Sequence, residues 1–249
     1  MVYPKEERNK HWDQILNKFF DFKKGVSLVS TTDLKSIIKD KEIRLLNYFD
    51  SEETMPDSLK KHKIMMFPNT TKSWWLIKCE GFMDLPPINK ENIKFKSISQ
   101  FKLLSSSAGM GEQQYLLNMI NSGILRDFLK IDKLFYFSIM GKQRSKEFQL
   151  EIGGHNIKIE KPGIEIDAGF EGENFSIIIE AKAKLIKRFS KRQLYFPYIH
   201  VKKITGKETI PVFFCWDDKS KTYNLWKFKI QDDSIEKIIL VDSQRYYLV

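Results

Sequence analysis

The stretch 163–184, GIEIDAGFEGENFSIIIEAKAK, contains two segments in which side chains alternate along the chain with the period of a β-strand. The polar residues and glycine of 171–174 separate the two segments and predict a hairpin turn. In the first strand, the apolar face is predicted to hold Ile164, Ile166, Ala168 and Phe170. In the second strand, it is predicted to hold Phe175, Ile177, Ile179 and Ala181. Each strand therefore offers one face to a core and carries charge on the other.

These apolar faces select how the two strands pair. With the hairpin tip at 173–174, Asp167 lies opposite Glu180, and Glu165 lies opposite Lys182. A shift of one residue would turn every side chain to the other face and bury charges in the core. The pattern therefore predicts that Asp167, Glu180 and Lys182 converge.

This trio has the composition of a metal site. Two carboxylates held close together repel each other unless a cation lies between them, and oxygen ligands suit Mg²⁺. A lysine beside such an ion can orient a water molecule or stabilise charge on a phosphate. Asp167, Glu180 and Lys182 thus predict hydrolysis of a phosphodiester. A solvated strand face that carries an ordinary ion pair is the alternative for the same residues.

The charge of the chain favours a polyanionic partner. Among its 249 residues, 42 Lys and Arg against 32 Asp and Glu give a net charge of +10. Such an excess points first to nucleic acid, although solubility alone also accounts for lysine-rich chains. Between 181 and 207 there is no acidic residue, and the nine basic ones are Lys182, Lys184, Lys187, Arg188, Lys191, Arg192, Lys202, Lys203 and Lys207.

Cysteine content and hydropathy indicate the compartment. Cys79 and Cys215 are too few and too isolated for a disulfide framework or a zinc site, which fits a reducing cytoplasm. The first residues, MVYPKEERNKHWDQ, lack a hydrophobic signal core, and no apolar run reaches about 18 residues. We expect a cytoplasmic protein that is neither exported nor membrane-spanning.

The first half of the chain predicts helices followed by strands. Apolar residues at helical spacing indicate helices around Trp12 and Leu34, and KIMMFP and SWWLIKCEGF indicate strands on either side of a Pro-Asn turn. Two prolines in LPPINKEN interrupt the pattern. We therefore expect an N-terminal α+β region at 1–95, which supports the rest or recognises DNA, and a second domain at 96–249.

The second half predicts a sheet with helices. SSSAGMGEQQYLLNMINSGIL indicates a helix with possible caps at Ser105 to Ser107 and an end at Gly123, and its glycines lack the ending of a phosphate loop. SKRQLYFPYI is predicted to be helical up to Pro197. Strand patterns occur in LFYFSIM, FQLEI, NIKIE, GIEIDAGF, FSIIIEAK, TIPVFFCW, KTYNLWKFKI and EKIILVD. The predicted fold class is α/β (α+β mixed), with a central mixed sheet flanked by helices.

The spacing of the charged trio resembles the motif of the PD-(D/E)XK nuclease superfamily. Asp167 is followed after twelve residues by Glu180-Ala181-Lys182, with Ile166 in place of the usual proline. In chain order, GEQQYLL, GKQRSKEF, IEIDAGFE, IIIEAKAK and RQLYFPY are similar to segments of a group of type II restriction endonucleases. LLNYFDSEETMPDSLKKHKIMMFP is similar to the leading segment of that group, so the resemblance covers nearly the whole chain.

The resemblance implies a Mg²⁺-dependent endonuclease that cuts duplex DNA at a short recognition sequence. Asp167 and Glu180 become metal ligands, and Lys182 becomes the water-orienting base or charge stabiliser. The carbonyl of Ala181 is a further candidate ligand. Glu112 matches an acid that binds metal through water in several members; an acid favoured by a helix N-terminus is the alternative.

The resemblance and the basic run together imply partners. Candidate DNA contacts are Arg192, Gln193, Lys184, Lys187, Arg188 and Arg144. A homodimer is expected from the resemblance, with a monomer as the alternative, and a cognate DNA methyltransferase is the genetic partner. Two alternatives stay open. One is another nuclease of the same superfamily that acts in repair, on Holliday junctions or in transposition, and the other is a DNA-binding protein without catalysis.

Overall fold

The computed structural model describes residues 3–47, 49, 51–101 and 111–249. In the N-terminal part, the helices are α1 (Lys5–Phe19), α2 (Thr31–Ile38), α3 (Ile43–Asn47) and α4 (Asp57–His62). The strands are β1 (Val26–Ser30), β2 (Ile64–Pro68), β3 (Ser73–Lys78), β4 (Phe82–Asp84) and β5 (Ile93–Phe95). Strands β1, β3 and β2 form an antiparallel sheet in that order.

The two predicted N-terminal helices are confirmed, and their sequences explain them. Along α1, Trp12, Ile15 and Leu16 form the buried stripe that helical spacing requires. Helix α2 begins with a capping box, in which the Ser30 side chain accepts from the backbone of Asp33 and the Asp33 carboxylate accepts from the Ser30 backbone.

Among its described residues, the rest of the chain adds three α-helices, α5 (Glu112–Asn121), α6 (Ile124–Leu129) and α7 (Lys191–Thr205), and a 3₁₀-helix at Gln231–Asp233. Its strands are β6 (Phe135–Arg144), β7 (Phe148–Ile152), β8 (His155–Ile159), β9 (Gly163–Gly172), β10 (Phe175–Lys182), β11 (Arg188–Ser190), β12 (Glu208–Asp217), β13 (Thr222–Ile230) and β14 (Ile238–Leu248). In the part of the chain that the structure describes, no helix has the length and apolar composition needed to span a membrane.

A seven-stranded sheet in the order β5-β14-β13-β12-β10-β9-β6 is the centre of the protein. Strands β10 and β12 are parallel, whereas β9 and β10 are antiparallel, so the sheet is mixed as predicted. Along β10, Ile178 belongs to the larger core cluster, and Ile177 and Ile179 belong to the smaller one. The sheet therefore has a core on each face, with α7 contributing to the larger and α5 and α6 to the smaller.

The prediction of a single apolar face along β9 is wrong. Ile164 and Ile166 pack in the larger cluster, whereas Ala168 and Phe170 pack in the smaller one. The register between β6 and β9 shifts within 139–141 of β6, where β9 contains an extra residue. Such a bulge reverses the alternation of side chains and adds local twist. The change of face therefore falls beside Asp167.

The predicted end of the helix at Pro197 is also wrong, because α7 continues to Thr205. A proline inside a helix costs about 3 kcal/mol. Phe196, Tyr198 and Val201 are all buried around it, and burial of each large apolar side chain contributes about 1.5–3 kcal/mol. Packing therefore outweighs the missing hydrogen bond. The caps predicted at Ser105 to Ser107 lie outside the described residues, and Gly111 is the N-cap of α5.

The two parts of the chain share a core. The larger cluster contains Trp12 and Leu76 together with Phe213 and Phe228. Strand β5 pairs with β14 in the central sheet, and β4 pairs with β11. The division into domains at 1–95 and 96–249 stays a prediction, and any boundary there is crossed by continuous packing.

Gly169 tests the close approach of β6 to β9. A Cβ at this position would lie 2.4 Å from Cγ2 of Ile139, so we expect Gly169→Ala to lower the free energy of unfolding by about 1–3 kcal/mol. Gly163→Ala is the matched control on the same strand, because its Cβ would meet no described atom within 4 Å. Chemical denaturation measures both variants. Equal stabilities would contradict the packing of Ile139 against Gly169.

Candidate active site

The charged trio lies where β9 and β10 separate. Their pairing runs from Ser176 opposite Glu171 to Ile179 opposite Ala168, which is the predicted register. Asp167 and Glu180 are the next residues on each strand, and there the pairing stops. Beyond this point β9 continues beside β6. The two strands therefore open at the carboxylates.

Asp167 still contacts β10 through its side chain. Its Oδ2 accepts a hydrogen bond of 2.7 Å from the backbone N–H of Ala181, and the residue is half-buried. The side chain of Ala181 is fully buried in the smaller core cluster. This hydrogen bond holds the Asp167 carboxylate beside the end of β10, because Ala181 lies between Glu180 and Lys182 in the sequence.

Glu180 is the most buried member of the trio, with 6% of its surface exposed. One carboxylate oxygen, Oε1, accepts hydrogen bonds from Lys182 Nζ at 2.5 Å and from Gln193 Nε2 at 2.8 Å. Gln193 lies in the first turn of α7, so its hydrogen bond to Glu180 links the start of this helix to the end of β10. Hydrogen bonds of this kind offset part of the cost of burying a carboxylate.

The part of the burial cost that these hydrogen bonds do not offset raises the pKa of Glu180. The pKa of this carboxyl is raised from 4.5 to about 8, chiefly by burial and also by the charges of Asp167 and Glu112, while the ammonium of Lys182 opposes them. For Lys182 itself, burial lowers the pKa, but the neighbouring carboxylates outweigh burial and hold the pKa above its ordinary value. Three carboxyl groups, those of Asp167, Glu180 and Glu112, therefore act on the one ammonium of Lys182.

Glu112 lies on a helix that packs on the other face of the sheet from α7. It is the first residue of α5, after the N-cap Gly111, and α5 packs against β10 through the smaller core cluster. Its charge contributes to the raised pKa values of both Glu180 and Lys182. The position at a helix N-terminus also favours an acid by itself, so both explanations of Glu112 given above agree with its location.

The donor set fits a magnesium ion. Among the described residues, no group of three or more His, Cys, Asp and Glu is placed to hold a metal. Mg²⁺ commonly binds through one or two carboxylates and keeps several waters, and Asp167 and Glu180 supply two. Oε1 of Gln193 is buried and has no hydrogen-bond partner among the described residues. It can accept a hydrogen bond from a water molecule bound to Mg²⁺.

The link between Gln193 and Glu180 was missed by the sequence analysis, which placed Gln193 among the DNA contacts. Its position three residues after Ser190, the N-cap of α7, is that of the second residue of a capping box. The Ser190 side chain forms no capping hydrogen bond, and Gln193 is turned to Glu180 instead. The sequence pattern at Ser190 and Gln193 predicts a capping box, so it carried no signal for the contact with Glu180.

The other predicted DNA contacts fall into different environments. Lys184 and Lys187 are exposed on the segment between β10 and β11, directly after Lys182. Arg144 is exposed at the end of β6. Arg188 forms ion pairs with three acids of the N-terminal part, Glu52, Glu80 and Asp84. Arg192 is half-buried in the first turn of α7.

Comparison with known proteins gives a family without an assigned activity. No curated protein and no solved structure matches the chain. Residues 77–247 match a family described as a domain of unknown function, and this range includes every residue of the candidate site and the central sheet up to, but not including, the last residue of β14. The chain therefore belongs to the DUF6997 family.

Proposed function

We propose that the protein is a Mg²⁺-dependent endonuclease of the type II restriction class, which hydrolyses phosphodiester bonds of duplex DNA at a short specific sequence in the cytoplasm. The observation that carries the proposal is the convergence of Asp167, Glu180 and Lys182 where β9 and β10 separate. The resemblance of the ordered segments to restriction endonucleases and the net charge of +10 support it.

Asp167 and Glu180 would hold the metal ion. Hydrogen bonds hold both carboxylates in place. The N–H of Ala181 donates to Asp167, and the side-chain amide of Gln193 donates to Glu180. When bound, Mg²⁺ lowers the pKa of a coordinated water and neutralises charge on the phosphate. The Ala181 carbonyl and Glu112 are the further candidate ligands. Gln193 acts as a positioning residue, because it orients Glu180 and touches no reacting atom.

Lys182 would stabilise charge on the phosphate. In the metal-free protein its pKa is held above the ordinary value by the carboxylates, which favours the ammonium form. A group that keeps its proton cannot serve as the base that activates water. Of the two roles that the resemblance allows, this favours electrostatic stabilisation and orientation of water through an N–H donor.

The homodimer and the companion DNA methyltransferase belong to this proposal as expectations from the resemblance. The alternatives are separated by substrate. Cleavage of branched or single-stranded DNA in preference to duplex would favour a repair, junction-resolving or transposition nuclease. Binding of DNA that Mg²⁺ does not affect, without strand scission, would favour a DNA-binding protein whose acids are structural.

Conservative variants test the catalytic assignment. Incubation of the full chain with phage DNA and Mg²⁺ is expected to give discrete bands, and Asp167→Asn, Glu180→Gln and Lys182→Met are each expected to reduce cleavage at least about a hundredfold. Asparagine can still accept from the N–H of Ala181, so the first variant separates charge from structure. Glu165→Gln, at an exposed position of β9, is the matched control and should cleave normally. Normal cleavage by Asp167→Asn would show a structural role only.

The raised pKa of Glu180 predicts a pH dependence of stability in metal-free protein. Between the ordinary value of 4.5 and about 8, the folded protein keeps a proton on Glu180 that the unfolded chain releases. The free energy of unfolding of the parent should therefore fall, relative to Glu180→Gln, by up to about 1.4 kcal/mol per pH unit as the pH rises through this window. Denaturation in a chelator at several pH values measures the slope. Parallel curves would mean that Glu180 is ionised throughout.

The basic residues after β10 are expected to behave differently from one another. Replacing exposed Lys184 and Lys187 together by alanine should weaken binding to duplex DNA and reduce the slope of log affinity against log salt by about two, without loss of stability. Arg188→Ala should instead lower the free energy of unfolding by about 1 kcal/mol, because it removes three ion pairs to the N-terminal part. An unchanged salt slope in the lysine variant would contradict its contact with phosphates.

A further inference from the structure

Strand β6 is one edge of the central sheet. Within the described residues it pairs only with β9, and the opposite edge is the three-residue strand β5. A ten-residue edge presents a long row of backbone N–H and C=O groups that can pair with another strand. Proteins usually protect such an edge with charged side chains, with proline or with a covering element. The protection that β6 carries therefore indicates whether another strand binds there.

The first part of β6 has neither charge nor proline. The run 134–141, LFYFSIMG, begins one residue before the strand and contains no residue of either kind. Its exposed large apolar side chains are Leu134 at 70%, Tyr136 at 69%, Phe137 at 54% and Met140 at 38%. Exposed apolar groups that follow one another on a folded protein commonly mark an interaction site.

The exposed side chains lie on both faces of the sheet. Tyr136 lies opposite Glu171 of β9, and Phe137 lies opposite Phe170. Successive residues of a strand point to opposite faces, and the ring of Phe137 contacts that of Phe170 on the side of the smaller core cluster. A partner on one face would leave the apolar groups of the other face in water. A strand added at the edge gives the residues of both faces a cross-strand neighbour, so the pattern favours a partner that binds edge-on.

The charges at the two ends of the run are self-complementary. Asp132 lies five residues before Phe137 and Lys142 lies five residues after it, and both charged side chains are exposed. Arg126 donates hydrogen bonds to the carbonyl oxygens on either side of Asp132, which fixes this segment. In an antiparallel pair of identical strands about a two-fold axis at Phe137, each residue faces the one at the same distance on the other side. Lys142 of one copy then faces Asp132 of the other, and the symmetry makes this pair twice.

The same axis brings the apolar residues of the two copies together. Leu134 faces Met140, and Phe137 faces its own counterpart. At about 200 Å² for a large side chain, the exposed fractions of the four apolar residues correspond to roughly 900 Å² over both copies. With the backbone edge added, this approaches the ~1,000 Å² at which specific interfaces begin. The register shifts at 137–141 limit regular backbone pairing to a few residues, so side chains supply most of the contact.

Duplex DNA is the competing occupant of this edge, and the distribution of charge disfavours it. Lys142 and Arg144 lie at one end of β6, and the run 134–141 before them carries no charge. Most hydrogen bonds from proteins to DNA go to phosphates and sugars, which an apolar run of this length cannot supply. A second copy of the chain instead matches both the apolar run and its charged ends.

We propose that β6 pairs antiparallel with β6 of a second copy about a two-fold axis at Phe137, which joins two central sheets into one. Such an axis is perpendicular to the sheet, so helix α7 lies on the same face in both copies. Glu180, which Gln193 of α7 contacts, lies on that face as well. The pairing goes beyond the proposed function and does not depend on it. Under that function, the dimer would present both candidate sites on one face of the joined sheet, where each can cut one strand of a duplex.

A cysteine cross-link tests the position of the axis. Light scattering of the full chain at several concentrations is expected to show a dimer that dissociates on dilution. Directly opposed residues of antiparallel strands have Cα atoms about 4.5–5.5 Å apart, which a disulfide can span. Phe137→Cys should therefore form a disulfide-linked dimer on mild oxidation. The parent is one control, since Cys215 is buried and Cys79 is half-buried. Val241→Cys, at an exposed position of β14 near the opposite edge, is the other control and should not cross-link.

A charge exchange tests the register without removing any apolar group. Lys142→Asp and Asp132→Lys should each raise the dissociation constant of the dimer about tenfold, because each places like charges opposite one another at two symmetric points. The double variant, with both substitutions, should restore the parent value within about threefold. Thermal unfolding of each variant shows whether the fold is kept.

The proposed function adds a readout that the pairing alone does not give. On a supercoiled plasmid that the parent linearises with Mg²⁺, Asp132→Lys should give mainly nicked circles at concentrations where this variant is monomeric. The double variant should again give linear DNA. A parent that cuts no DNA but forms the cross-linked dimer through Phe137→Cys would overturn the proposed function and support the pairing.

Three results would overturn the pairing. One is a parent that stays monomeric at the highest concentration that remains in solution. Another is a dimer in which Phe137→Cys forms no cross-link or Val241→Cys forms one, which would assign the contact to a different surface. The third is a dimer whose dissociation constant is unchanged in both Lys142→Asp and Asp132→Lys.

Discussion

The burial of Glu180 beside Asp167 is the interaction on which the site depends. An ionised carboxylate in a protein interior is costly unless it is paired. The carboxyl group of Glu180 accepts hydrogen bonds from the ammonium of Lys182 and the amide of Gln193. The charges of Asp167 and Glu112 oppose its ionisation. The pKa of Glu180 is raised because its hydrogen-bond partners do not fully offset the cost of burial. A divalent cation between Glu180 and Asp167 would remove that cost and release Lys182 to face a substrate. Under the proposed function, this cost would favour the metal-bound state of the site.

Several parts of the fold are needed to hold this charge in place. The separation of β9 from β10 makes room for the carboxylates, and the bulge beside Asp167 lets β9 change its apolar face there. The start of α7 brings Gln193, and its later turns are anchored where Tyr198 and Lys202 bind Asp233. Cores on both faces of the sheet fix these elements relative to one another. A site under electrostatic strain persists only when the surrounding structure is this well determined.

The sequence predicts the mixed sheet and the register of the hairpin because both depend on local period-two patterns. Asp167 and Glu180 follow from that register, and the structure pairs the residues just before them as expected. The contact of Gln193 with Glu180 joins residues on a helix and a strand, and no periodicity encodes it. Arg188 was predicted to face DNA, yet one of its partners, Glu52, lies 136 residues away. Bulges, helix orientation and long-range ion pairs are set by tertiary packing, and these decide which charges are available to a ligand.

The most direct test of the central claim is where a divalent ion binds. Crystals of the full chain soaked in Mn²⁺, with diffraction recorded at the manganese edge, would locate the ion by its anomalous signal. We expect a peak within about 2–2.5 Å of carboxylate oxygens of both Asp167 and Glu180, with Lys182 Nζ moved away from Glu180. A peak elsewhere, or none while Lys182 stays on Glu180, would contradict the account.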